Sequence, residues 1–224
     1  DRAGQAEYIK EISEGFSSKR GVHVWPSKCI IQGQEVPGYF LACAIAGATG
    51  GLPSHRGFTR LSIAGVTEIQ NSNDLFNKTQ LNTIASGGTF IFTQENPDAP
   101  IIVRHQLTTD MSAVEFQEYS FVKNFDYVSI LSKQALDRYL GEYNITKATF
   151  GVLENAMRAV LESLRLYKLP KIGSPVLKYN ITNIYQHEAN RTRVEMYANV
   201  WFPYALNYVG LHLVSQGTTS QLTG

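Results

Sequence analysis

Leu81-Asn-Thr-Ile-Ala-Ser-Gly-Gly-Thr-Phe-Ile-Phe-Thr93 changes its period in mid-run. Leu81 and Ile84 stand three apart, the spacing of one helix face, and Gly87-Gly88 supply a helix stop. Thr89 to Thr93 reads as a strand with Phe-Ile-Phe at its centre. Upstream, Asn73 or Asp74 is placed to cap the helix, which would run through Leu75. Downstream, Asn96-Pro-Asp-Ala-Pro100 reads as a turn and Ile101 to Leu107 as a second strand, so the pair forms a hairpin. A helix that hands over directly to a strand pair makes this a mixed chain.

Working outward toward the start, Ala6, Ile9, Ile12 and Phe16 mark a first helix. Val22 to Trp25 reads as a buried strand stopped by Pro26. Cys29-Ile-Ile31 is either its continuation or a hairpin partner across Pro26-Ser-Lys28. Pro37 sits where a first helical turn tolerates proline, ahead of a close-packed buried helix from Tyr39 to Ala48 that ends at Gly50-Gly51. Residues 50–60 are a loop by composition, and Leu61, Ile63 and Val66 suggest a strand edge. Toward the end, two long helices are expected. One runs from Ala113 to Leu140, capped by Asp110 or Ser112, and the other from Thr146 to Tyr167. Phe121, Phe125, Leu131 and Leu136 of the first should meet Val152, Ala156 and Val160 of the second, or the sheet between them. After Pro175 the period becomes two, giving strands at 176–186, 193–202 and 207–214.

The predicted fold class is therefore α+β, a mixed sheet packed with two long helices and with terminal strands at the sheet edge. A core domain over 1–214 and a flexible arm over 215–224 follow, since Ser215 to Gly224 is polar and without period. The chain opens on Asp1 rather than Met, as expected of a piece excised from something longer.

Composition narrows the function. The 224 residues are 43% hydrophobic and 17% charged, ordinary for a folded chain and not for a disordered one. With 20 Lys plus Arg against 19 Asp plus Glu, there is no basic excess of the kind nucleic-acid binding calls for. No run reaches the roughly 18 apolar residues of a membrane helix, so no membrane insertion is expected. The two cysteines, Cys29 and Cys43, are too few for a disulfide framework and read as buried free thiols. Asn-x-Thr sequons at Asn77, Asn144, Asn180 and Asn190 matter only in a secretory pathway.

Catalytic motifs fail on inspection. Gly47-Ala-Thr-Gly-Gly-Leu-Pro-Ser54 lacks the Gly-Lys-Ser/Thr ending by which a phosphate loop meets its nucleotide. Ser54 and His55 are adjacent, an arrangement in which side chains rarely face each other, and no Gly-x-Ser-x-Gly elbow occurs. The five histidines, at 23, 55, 105, 187 and 212, show no helical i, i+4 pair for zinc. Asp110, Glu115 and Glu118 read as charge at a helix start rather than as an acid pair. No catalytic, cofactor or metal residue is expected. A hydrolase using the 50–60 loop is kept as a lesser alternative.

The closing strands offer something different. Val194, Met196, Ala198, Val200 and Phe202 alternate, as do Leu211 and Leu213 against Tyr208, His212 and Val214. A last strand over Asn207, Tyr208, Val209, Leu211, Leu213 and Val214, leading into a polar tail, either lies at a sheet edge and templates a neighbouring chain or completes its own subunit's sheet.

Five features in order resemble contractile phage tail sheath proteins, a family that extends to tailocins and type six secretion sheaths. They are Gly51-Leu-Pro-Ser-His-Arg-Gly-Phe-Thr59, the 61–66 segment, the Leu75–Phe92 helix, glycine stop and strand, Arg104-His-Gln-Leu-Thr-Thr-Asp110, and Val200 to Val214. The resemblance implies a structural subunit of the virion tail, assembled in the bacterial host cytoplasm. Such a subunit polymerises around a tube and shortens to drive that tube through a cell envelope. It implies as partners further copies of the chain, the tail tube protein, and baseplate and tail terminator proteins. It implies no cofactor and no catalytic residue. Linkage between subunits would come from arms that add strands to a neighbour's sheet, the C-terminal one over 207–224. The family's N-terminal arm and large outer domain have no visible counterpart. Another tail or baseplate component is the second alternative.

Overall fold

A computed structural model describes residues 1–69, 76–95, 99–210 and 212. The element order is α1 (Arg2–Phe16), β1 (His23–Trp25), β2 (Lys28–Ile31), β3 (Gln34–Pro37), α2 (Tyr39–Gly51), β4 (Val66–Ile69), α3 (Lys78–Ser86), β5 (Thr89–Thr93) and β6 (Ile102–His105). There follow α4 (Val114–Gln117), α5 (Tyr119–Asp137), α6 (Lys147–Leu166), β7 (Lys178–Gln186) and β8 (Val194–Trp201). The chain is α+β. One sheet is mixed, with order β1-β5-β6, parallel on one side of β5 and antiparallel on the other. The others are β3-β2-β4 and the pair β7-β8.

The Thr89–Thr93 strand lies at the centre of its sheet, between β1 and β6. Phe90 and Phe92 point to one side, into a core with Cys29, Leu41, Ile45, Phe58 and Val103. Ile91, one residue out of phase, points to the other, onto Ala6 of α1 and Ile84 of α3. The same Gly87-Gly88 stop that ends α3 lets the chain turn directly into β5, with Gly88 at φ 83°, a conformation that favours glycine. A Cβ on Gly88 would collide with the Thr108 carbonyl.

A third, separate cluster joins the last helices to the last strands: Val128, Leu161, Leu164 and Val176 are buried, with Tyr179, Val200 and Phe202 packed on them. The long helix expected from Ala113 to Leu140 breaks at Glu118, whose φ of −88° and ψ of 111° separate α4 from α5. Asp110 caps neither helix; it accepts from the Ser112 backbone at 3.0 Å and its hydroxyl at 2.6 Å, closing a local turn. The helix expected from Thr146 to Tyr167 runs over Lys147–Leu166, with Thr146 as its cap.

Other expectations need correction. Cys29-Ile-Ile31 is not a partner of β1 but the middle strand of the second sheet, between β3 and β4. The helix begins at Tyr39 as expected, but Pro37 is not in its first turn: it ends β3, and Gly38 N–H donates to Ser27 O at 2.6 Å. The α2 helix buries only Leu41 and Ile45, and Cys43 is exposed while Cys29 is buried. Asn77, not Asn73 or Asp74, caps α3 in a reciprocal box with Gln80; residues 70–75, Leu75 among them, and 96–98 fall outside the described residues. Phe125 is 45% exposed and Val122, Asn124 and Val128 take the inward face of α5.

Candidate assembly interface

Strands β7 and β8 form the longest ladder among the described residues, paired from Lys178↔Trp201 to Gln186↔Val194 around a bulge at Ile181–Asn183. Alternation sorts their side chains. Met196, Ala198 and Val200 turn toward the helices, while Tyr197, Asn199 and Trp201 face outward and are exposed. The inward face is only half covered. A groove of about 630 Å³ remains between it and Val128, Ser132 and Met157. The outward face carries aromatic groups: Tyr185 stacks on Tyr197 at 6.0 Å, and the Lys178 ammonium lies 5.1 Å from the Trp201 ring centre. Among the described residues each of the two strands has one partner, so both outer edges present unpaired N–H and C=O groups. A two-stranded sheet is marginal alone, and packing on α5 and α6 is what holds it.

The segment after β8 does not continue as the expected strand. Asn207, Tyr208 and Val209 carry no ladder pairing; Leu211, Leu213 and Val214 lie outside the described residues. The reason is that side chains, not backbone, secure this stretch. Thr59 Oγ1 donates to Asn207 Oδ1 at 2.7 Å, and Asn207 Nδ2 donates to Glu118 Oε1 at 2.9 Å. The same carboxylate oxygen lies 2.8 Å from His105 Nε2, in a site where both side chains are less than one fifth exposed. Tyr204 stacks on Phe121 at 4.9 Å, and Tyr208 meets the His105 ring edge-on at 5.7 Å. Residues 202–208 thus form a strap across β6, the α4–α5 break and the 56–60 loop. Sequence reasoning missed Glu118, His105 and Thr59 here, because the bonds join positions 89 and 148 residues apart. Val209 is exposed beyond the strap.

The residues weighed for chemistry are dispersed. Ser54 Oγ donates to Asn124 Oδ1 at 2.8 Å, whereas His55 Nε2 bonds the Gly173 carbonyl at 3.1 Å, so the neighbours serve different partners. His23 Nδ1 lies 2.6 Å from Ser13 Oγ, and burial lowers its proton affinity. His187 Nδ1 accepts from Asn190 N–H in the β7–β8 turn. No group of three or more His, Cys, Asp or Glu residues is placed to hold a metal among the described residues. No helix of the described residues is long and apolar enough to cross a membrane.

No family model matches the chain, and no curated protein matches it in sequence. Solved structures do match in fold. A chain of the anti-feeding prophage baseplate is similar over 90% of this chain and 56% of its own, with a TM-score of 0.70 at 13% identity. The anti-feeding prophage helical sheath in its contracted state is similar over 89% and 57%, with a TM-score of 0.66 at 13% identity. The sheath tail protein of Desulfitobacterium hafniense is similar over 75% and 40%, with a TM-score of 0.59 at 13% identity. The fold is thus that of contractile-tail sheath proteins. The chain spans between 40% and 57% of the length of these three chains.

Proposed function

We propose that this chain is a structural subunit of a contractile tail sheath, or of the sheath-like ring where such a tail meets its baseplate. The observation that carries the reading is a sheath-protein fold over nine-tenths of the chain, joined to a β7–β8 pair with both edges open. Copies would surround a tube as rings or a helix and shorten together when triggered. Tube, baseplate and terminator proteins would be its neighbours, in a virion-like tail assembled in the host cytoplasm. The role is mechanical rather than catalytic.

The open pair supplies the linkage. An extended arm from another copy adds a strand to the β7 or β8 edge, its backbone satisfying the exposed groups and its alternate side chains setting the register. Residues 209–224, beyond the strap, are the arm this chain would offer, with Leu211, Leu213 and Val214 as the register residues. The strap fixes its point of departure. Rigid bodies on such links can rotate and slide while staying connected, which is the movement contraction demands.

Electron microscopy of the purified chain tests this directly. Rings or striated tubes are expected, and they should vanish when residues 209–224 are deleted, with circular dichroism of the body retained. Discrete monomers from the full chain would refute self-assembly. Single rings that never stack would favour the baseplate reading, to which the similarity with a baseplate chain lends its own support.

A further inference from the structure

Beside the 52–55 loop lies a cleft of about 360 Å³ lined by Leu52, His55, Lys123, Tyr127, Tyr167 and Pro175, with no acidic residue in its wall. Lys123 reaches into it from α5. Its ammonium donates to Thr49 O at 3.3 Å and Leu52 O at 3.2 Å, at the C-terminal end of α2, and sits 4.9 Å from the Phe58 ring centre. Those carbonyls use two of its three N–H groups. It has no carboxylate partner among the described residues. Burial pushes its pKa down to about 8, showing that its charge is incompletely compensated.

His55 is the second half of the site. It is 7% exposed, its Nε2 donates to the Gly173 carbonyl, and its Nδ1 is buried with no partner. Burial foremost, and then the Lys123 charge, push its pKa down against the opposing bond to Gly173. Two groups able to be cationic thus share a cleft with nothing anionic between them. Meanwhile Glu11, Glu68 and Glu142 stand exposed on the same chain, with no bonded base among the described residues.

We propose that this cleft is a docking site for an acidic side chain from a second copy of the chain. The incoming carboxylate accepts the third N–H of Lys123 and the Nδ1–H of His55, which takes up a proton as it binds. Tyr127 and Tyr167, both exposed at the rim, cover the stem of the arriving side chain. No residue of β7 or β8 lines the cleft, so it would give a subunit a contact other than strand addition. The inference rests on the proposed self-assembly for its partner, but the chemistry of the cleft can be tested alone.

The titratable groups around the amine are His55, Tyr119, Tyr127 and Tyr167. On dispersed full chain carrying lysines ¹³C-labelled at Cε, with the amine unmodified, Lys123 is titrated by NMR with N-acetylglutamate amide and with its glutamine counterpart. The glutamate probe should raise the proton affinity of Lys123 by about tenfold, one pKa unit; the glutamine probe should leave it unmoved. Equal responses, or none, would overturn the proposal and leave Lys123 as a helix cap only. In the assembled state, wild type should lose assembly between pH 7 and 9 as Lys123 deprotonates. Lys123→Arg, which stays charged, should keep assembling at pH 9. Wild-type assembly indifferent to pH over that range would also overturn it. A chain that responds to the glutamate probe yet never assembles would sustain the cleft and defeat the sheath reading.

Discussion

Replacing Asn207 with Ala should loosen the strap on the body. The side chain makes two bonds, accepting from Thr59 Oγ1 at 2.7 Å and donating to the Glu118 carboxylate at 2.9 Å. The first is neutral and contributes about 1 kcal/mol; the second goes to a charged acceptor and contributes about 2 kcal/mol. Their loss favours the open strap by about 3 kcal/mol, roughly a hundredfold in the opening equilibrium. Tyr204 on Phe121 and Tyr208 on His105 remain, so closure is weakened rather than abolished. The body should be spared, since Asn207 belongs to none of the three buried clusters.

Amide hydrogen exchange resolves the two effects. In Asn207→Ala, the amides of 204–208 should exchange about a hundredfold faster, while those of β5 and β6 keep their protection. Limited proteolysis within 203–210 should accelerate in parallel. Unchanged exchange over 204–208 would show that the polar node contributes nothing to strap closure. Loss of protection in β5 would show instead that the strap is part of the core, and that the arm cannot move independently of the body.

The remaining predictions are briefer. Phe90→Ala, fully buried among Phe58, Phe92 and Tyr119, should cost about 3–5 kcal/mol in denaturant unfolding; Phe125→Ala, with its ring 45% exposed, should cost about half that or less. Asn77→Ala removes the acceptor for Gln80 N–H at 2.9 Å and should lower stability by about 1 kcal/mol, read from the same unfolding curves. Lys123 has a folded pKa of about 8 against an ordinary 10.5, so between those values the unfolded chain binds more protons. Stability should therefore gain a rising contribution as pH climbs from 8 toward 10.5, and Lys123→Met should flatten that rise; a wild-type profile with no such contribution would contradict the burial of the amine. His23, also depressed by burial, works in the same sense lower down, withdrawing stability as pH falls below the ordinary 6.5.

Local physics was legible, and distant pairing was not. The Leu81–Thr93 stretch carried its own helix face, stop and strand, and the structure reproduces β5 residue for residue. The period of Val152, Ala156, Val160 and Leu164 announced α6 because a helix face is a local signal. Pro37 misled because proline suits both a first helical turn and the last residue of an edge strand. The deciding contact, Gly38 N–H with Ser27 O across a hairpin, depends on β2–β3 pairing. Glu118 gave no sign of breaking a helix, since its extended backbone is stabilised by Tyr119 N–H donating to Gln106 O at 2.9 Å. The alternation of β8 was visible, but the same pattern beyond Phe202 promised a strand that the bonds of Asn207 replace with a strap.

These contrasts bear on the proposed role, which asks one chain to be both rigid and extensible. Around β5 the polar groups are matched inside the subunit: Gln106 donates to Ser120 Oγ at 2.9 Å and accepts from Phe58 N–H at 2.8 Å. Ser13, fully buried, lies 2.6 Å from Thr89 Oγ1. A core so satisfied gains nothing from a neighbour and can move as one piece. The β7–β8 pair is the opposite case, with a half-filled groove on one face, aromatic groups on the other, and ladder groups unmatched at both edges. Free energy available for association is therefore concentrated there and, on our proposal, at the Lys123 cleft. On our proposal, the Asn207 node stands between the core and the arm and would set how far the arm's origin can travel. An assembly that must change length without coming apart needs that division, because bonds that rearrange have to be separate from bonds that preserve the subunit.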